Sequence, residues 1–133
     1  MDWALLGGLS DADTRVVLAS AHRRRFARGE VVFHEADPAD TVHLVVEGRF
    51  AARRSTPAGD TVTFSIVGPG DTFGEMAIID DAPRSLTAVA AEESVIASID
   101  SKTFLFLVHE TPTFAIQVMR SLASRIRQLD DQL

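Results

Sequence analysis

No cysteine occurs in the chain, which excludes by inventory disulfide staples, cysteine nucleophiles, thiolate iron–sulfur clusters and zinc–thiolate sites. Packing must hold the fold. Long apolar runs are missing too: the longest, such as residues 103–108 with one threonine among them, fall far short of the ~20 residues a helix needs to cross a bilayer. The opening residues Met1-Asp2-Trp3-Ala4-Leu5-Leu6 lack the basic region and apolar core of a secretory signal, so the sequence reads as cytoplasmic. Lysine is nearly absent, Lys102 standing alone, and arginine carries the positive charge. Internal repeats, low-complexity segments, a Walker-type glycine loop and a serine–histidine–acid pattern are all wanting. What remains is ordinary in amount: 133 residues, 46% apolar and 24% charged, fit a single soluble domain. The net charge of -6 and pI near 5.1 argue against a broad polyphosphate-binding surface and leave room for a local anion site.

Ser10, with Asp13 three positions on and an apolar run behind, predicts a short helix from Asp11 to about Ala21. Beyond it, runs rich in Val, Ile, Thr and Phe are punctuated by glycine and proline turns. Strands are expected at 31–34, 42–47, 50–55, 61–67, 86–91 and 94–99. Their spacing, without intervening helices, points to an antiparallel roll. Helical periodicity returns with Ser101 as a cap, and Pro112 opens a longer helix running to the chain end. The organisation is therefore one domain over 1–133: an N-terminal helix in 1–22, a roll in 23–100 and a helical pair in 101–133. On the last helix Met119, Leu122, Ile126, Leu129 and Leu133 fall at alternate intervals of three and four. Such a seam fits either a helix lying on its own roll or a two-stranded homodimer.

Residues 73–88, FGEMAIIDDAPRSLTA, carry the chemistry. Gly74 before Glu75-Met76-Ala77 predicts a turn opening a very short helix, whose uncapped amides favour an anion. Arg84 and Ser85 return nine and ten residues after Glu75, adding a guanidinium fork and a hydroxyl suited to one compact phosphate. Glu75 would repel that phosphate unless it serves another group. A ribose 2'-hydroxyl resolves this, and a 3',5'-cyclic nucleotide presents phosphate and hydroxyl together. The bland alternative is a Glu75–Arg84 salt bridge on a solvated loop.

Phe73-Gly74-Glu75-Met76-Ala77 with Arg84-Ser85-Leu86-Thr87-Ala88 closely resembles the phosphate-binding cassette of cyclic-nucleotide-binding domains. That family includes Crp/Fnr-type transcription regulators, regulatory subunits of cAMP-dependent protein kinase and cyclic-nucleotide-gated channels. Gly29-Glu30-Val31-Val32-Phe33, the Glu47-Gly48 turn and Gly68-Pro69-Gly70-Asp71 extend the likeness over most of the chain. The resemblance implies a mainly β, jelly-roll-like β-roll with flanking helices that senses cAMP or cGMP and catalyses nothing. It assigns Glu75 to the ribose, Arg84 and Ser85 to the phosphate, and Gly74, Met76 and Ala77 to backbone contacts. Phe64, Ser65 and Val67 would form a wall beneath the ligand. Arg125 resembles a helix arginine that approaches the cassette glutamate, though it suits a coiled-coil flank equally. Where well-known bacterial members carry a threonine–serine pair over the base, this chain has Leu129 and Asp130. Those regulators continue into a helix-turn-helix domain, for which no residues remain here; the expectation is the sensory half of a longer regulator or a free-standing sensor.

His34, Glu35 and His43 raise a cupin-like metal site, but their spacing does not bring three ligands onto adjacent inward positions. No metal is expected. His22 and His109 read as caps near helix ends. Arg23-Arg24-Arg25 and Arg28 read as a solvated strand end, with contact to a partner or a nucleic-acid backbone as the alternative.

Overall fold

The computed structural model describes residues 3–131, and at Leu129 the backbone only. Ser10 Oγ accepts the Asp13 amide at 3.1 Å and starts α1 (Asp11–Ser20). Ahead of it, the one-turn 3-10 helix Ala4–Gly8, which the sequence does not announce, buries Leu5 and Leu6. Eight strands follow: β1 (His22–Phe26), β2 (Val31–Phe33), β3 (Thr41–Glu47), β4 (Phe50–Ser55), β5 (Thr61–Val67), β6 (Thr72–Phe73), β7 (Thr87–Ala90) and β8 (Ser94–Asp100). The short α2 (Glu75–Asp80) lies between β6 and β7, while α3 (Ser101–Glu110) and α4 (Pro112–Asp131) close the chain. The strands form two antiparallel four-stranded sheets, ordered β1-β8-β3-β6 and β2-β7-β4-β5. This is the expected β-roll.

Several local expectations need correction. The basic run is a strand in its own right, since β1 pairs with β8 from His22↔Ser98 to Phe26↔Ser94. Its arginines remain exposed at the sheet edge, with Arg24 over the Phe26 ring and beside Glu30, and Arg25 near Glu93. His22 therefore opens a strand and caps no helix, whereas His109 does sit in the last turn of α3. The cap of α3 is Asp100, whose Oδ1 accepts the Lys102 amide at 3.3 Å, and Ser101 is the first helical residue. A carboxylate at that position suits the helix dipole better than a hydroxyl.

Alternation along β3 and β8 builds two cores from one sheet. Val42, Leu44, Ala97 and Ile99 face the helices and pack with Trp3, Val17, Phe104, Phe114 and Val118. Val45 and Ile96 face the roll interior with Phe26, Phe50, Phe73, Ala88 and Ala90. Each fully buried phenylalanine here contributes roughly 2–3 kcal/mol by removal from water. On the same inward side stand two polar residues, His43 and its direct cross-strand partner Ser98.

The α4 seam is divided in two. Phe114 and Val118 are buried, and Leu122 joins them against the domain's own helical core. Met119 and Ile126 stay exposed together with Ile116. Leu122, half-buried, therefore leans onto the intramolecular face, toward which the 3.6-residue period carries it. Leu133 and the Leu129 side chain lie outside the described residues.

Candidate functional site

The Gly68-Pro69-Gly70 turn feeds β6, and the chain then bends into α2 through Gly74, whose φ of +87° is a left-handed conformation that only glycine adopts without strain. Gly74 has a second reason to lack a side chain. A Cβ there would stand 2.7 Å from Arg84 Nη1. Gly74→Ala is therefore expected to lose about 1–3 kcal/mol in urea unfolding, from the conformation and the displaced guanidinium together.

Arg84 follows the turn after α2 and enters the interior, only 4% exposed. Its Nη1 donates to Gly74 O at 2.6 Å, and its Nη2 donates to Thr41 O at 2.7 Å and to Thr41 Oγ1 at 3.3 Å. Phe33 covers the guanidinium at 4.1 Å. Nε is left without a hydrogen-bond partner among the described residues. Burial lowers the Arg84 pKa from its ordinary value, with Asp40, Glu75 and Asp37 opposing the shift. It stays charged at any working pH.

Glu75, the first residue of α2, is 2% exposed. Arg125 reaches it from α4, placing Nη1 2.6 Å from Oε1, while Nη2 donates to Thr72 O at 2.7 Å. The same guanidinium approaches Met76 Sδ at 3.6 Å. Oε2 finds no hydrogen-bond partner among the described residues. Burial pushes the Glu75 carboxyl above its ordinary value; the Arg125 charge, and less strongly that of Arg84, work against the rise. Desolvation wins. The partner of Glu75 is Arg125 rather than Arg84, and Glu75 and Arg84 are both buried, which corrects the solvated-loop alternative.

The structure gathers Gly74, Glu75, Arg84 and Arg125 around the start of α2. Met76 and Ser85 are exposed, Ala77 is half-buried, and Arg54 Nη2 donates to Ser85 O at 3.1 Å. Val67 packs on the roll interior opposite Phe50, and Ser65 shares that face opposite Ala52. Phe64, the extra residue at the β-bulge where the register passes from Ala52↔Ser65 to Arg53↔Thr63, is exposed beneath the Arg54 guanidinium at 5.3 Å. Asp130 is exposed near the end of α4. A cavity of about 310 Å³ opens beside Arg84, lined also by Arg24, Phe33, Asp40, Thr41 and His43. Glu75 does not line it; Arg84 reaches the carbonyl of Gly74, the residue before Glu75, while the Glu75 carboxylate is held by Arg125.

His43 was not expected here. It is buried against the Phe33 and Phe73 rings, at 5.8 and 5.0 Å, and its two nitrogens meet Thr41 Oγ1 at 3.1 Å and Ser98 Oγ at 2.8 Å. Burial, then the charges of Arg84 and Arg24, lower its pKa to about 3. The ring is neutral. His34 lies apart on the surface, 3.8 Å from Asp37.

A family model for the cyclic nucleotide-binding domain matches residues 23–111. The chain belongs to that family. It is 30% identical over 129 residues to the cyclic AMP receptor protein of Thermus thermophilus, covering 97% of this chain and 60% of that protein. Similarity to the CRP-like cAMP-activated global transcriptional regulator of Mycobacterium tuberculosis is 32% over 108 residues, 81% of this chain and 48% of the relative. The solved Thermus thermophilus catabolite activator protein superposes with a TM-score of 0.85 at 29% identity, covering 97% of this chain and 61% of the other. The chain thus spans about half to three fifths of the curated relatives it matches. Against this family frame, the cassette lies at β6, α2 and the approach to β7, and no helix among the described residues is long and apolar enough to cross a membrane.

Proposed function

We propose that this cyclic-nucleotide-binding domain senses a cyclic nucleotide, with cAMP as the preferred ligand, and acts as the cytoplasmic, non-catalytic effector part of a Crp/Fnr-type transcription regulator. The observation that carries the reading is the buried Glu75 carboxylate, whose Oε2 lacks a hydrogen-bond partner among the described residues beside a buried arginine with an equally unpartnered Nε. Unpaired buried acceptors and donors cost free energy, and native proteins keep few without a use. A ribose hydroxyl satisfies the first and a cyclic phosphate the second. Gly74, Met76, Ala77 and Ser85 supply backbone and hydroxyl contacts, while Ser65 and Val67 border the ribose and base.

Output follows from a shared carboxylate. A ribose hydroxyl on Glu75 Oε2 draws on the same group that Arg125 holds through Oε1 to tie α4 to the cassette, so ligand occupancy is coupled to the position of α4. Exposed Ile116, Met119 and Ile126 make that helix the proposed homodimer seam, extended toward Leu129 and Leu133, with Asp130 placed to meet the base. DNA is reached only through a domain outside this chain.

Calorimetric titration with cAMP and with cGMP tests the proposal. The expected result is saturable heat with cAMP at micromolar concentration and a higher melting temperature. Absence of both heat and stabilisation with either nucleotide at millimolar concentration would favour a roll that serves dimerisation or another ligand.

A further inference from the structure

The roll interior contains a polar chain that neither packing nor the cassette accounts for. His43 occupies an inward position of β3 between the apolar Val42 and Leu44, where alternation calls for a residue like its neighbour Val45. A buried imidazole is costly unless both nitrogens are paired. Here both are, with hydroxyls on two different residues: Ser98, its direct cross-strand neighbour on β8, and Thr41, two positions back on its own strand. Thr41 in turn receives Arg84, through its carbonyl at 2.7 Å and its hydroxyl at 3.3 Å.

The direction of the chain follows from donor inventory. Arginine only donates, so Thr41 Oγ1 accepts from Nη2 and its own hydrogen is free to point at His43 Nε2. The neutral ring then carries its proton on Nδ1 and donates to Ser98 Oγ. The opposite tautomer would fill both lone pairs of the Thr41 hydroxyl with donors and leave its hydrogen without an acceptor among the described residues. The stacked Phe33 and Phe73 rings fix the imidazole plane, and Phe33 also covers Arg84, so the ring and the guanidinium share one wall.

We propose that His43 is a positioning residue: by orienting the Thr41 hydroxyl it holds the Arg84 guanidinium in the direction required for gripping a phosphate. The inference rests on the cyclic-nucleotide reading for its ligand, but the chain itself is observable without one. Thr41→Val removes the hydroxyl and keeps the carbonyl, His43→Phe keeps the stack and removes the nitrogens, and Thr41→Ser restores the hydroxyl. Titration with cAMP is expected to show roughly tenfold weaker binding for Thr41→Val and for His43→Phe, the scale of one hydrogen bond. Thr41→Ser binds within about twofold of the unaltered chain. In the double variant the relay is already broken by either change, so the loss stays near tenfold instead of multiplying to about a hundredfold. Nitrogen-15 NMR of the unliganded chain provides the independent arm: His43 is expected as the Nδ1–H tautomer, with the Arg84 Nε–H signal shifting in both single variants and returning in Thr41→Ser. Multiplicative losses, a Thr41→Ser as weak as Thr41→Val, or an Arg84 signal indifferent to His43→Phe would overturn the proposal. If the unaltered chain takes up no cAMP while the NMR pattern is as expected, the ligand assignment fails and the relay stands.

Discussion

Arg84→Ala is expected to abolish the response to cyclic nucleotide and to lower the melting temperature by about 10 °C. Two separate losses combine. The side chain supplies donors to two carbonyls, Gly74 O at 2.6 Å and Thr41 O at 2.7 Å, that become unsatisfied inside the protein when it is removed. Stranding such groups costs about 1–3 kcal/mol apiece, and each kcal/mol moves the midpoint of a domain of this size by roughly 3–4 °C. Binding suffers independently, because charge-assisted hydrogen bonds to a phosphate contribute about 1.5–3 kcal/mol each, and losing two weakens affinity a hundredfold or more. Arg84→Lys separates the effects. It keeps the charge, yet an ammonium cannot bridge both carbonyls and a phosphate as a planar fork does. Its melting temperature should fall between those of wild type and Arg84→Ala while affinity stays poor. Should Arg84→Ala titrate with cAMP within tenfold of the unaltered chain, well below its melting point, the guanidinium has no part in recognition.

The cassette was legible because its signals are local. Gly74 at a left-handed φ, Glu75 at the start of a helix and Arg84 after a proline turn sit within a dozen residues, where spacing alone implies proximity. β4 and β5 were legible to the residue, bounded by the Glu47-Gly48 and Ala58-Gly59-Asp60 turns. By contrast β1 exposes His22 through Arg25 at a sheet edge and buries only Phe26, so no alternation marks it. β6, two residues long, carries no periodicity at all. Partners that converge from far along the chain were equally silent: Ser98 lies 55 positions from His43, and Arg84 lies 43 from Thr41. No local pattern encodes such pairs. The His43 imidazole therefore read as a metal-ligand candidate, although its apolar neighbours already placed it inside. The α4 heptad is ambiguous for another reason, since two heptads fit a 3.5- and a 3.6-residue period almost equally well, and only tertiary packing shows that Leu122 also lies against the domain's own core.

Glu75→Gln should make the unliganded fold more stable and the sensor worse. Burial raises the Glu75 pKa above its ordinary 4.5 despite the opposing charges of Arg125 and Arg84, so the folded state holds the proton more tightly than the unfolded chain does. Stability from this group is fully present below pH 4.5 and is lost as pH climbs through the raised folded value. At pH 7 the carboxylate therefore costs the fold stability, and the uncharged amide relieves that cost without changing shape; Arg125, 37% exposed, can turn to water. A gain on the order of 3 °C in melting temperature is expected at pH 7, shrinking to nothing near pH 4. His43 titrates with the opposite sign, its stabilisation disappearing as pH falls from 6.5 toward about 3, but it is common to both proteins and cancels in their difference. Ligand affinity moves the other way. An amide oxygen accepts a ribose hydroxyl less strongly than a carboxylate, so cAMP should bind about 10–100-fold more weakly to Glu75→Gln. The 2'-deoxy nucleotide supplies the internal control: it binds poorly to the unaltered chain and should lose little further on substitution. Equal losses for both nucleotides would mean that Glu75 shapes the loop without touching the sugar, and a melting temperature that falls at pH 7 would mean that its pairing with Arg125 outweighs burial.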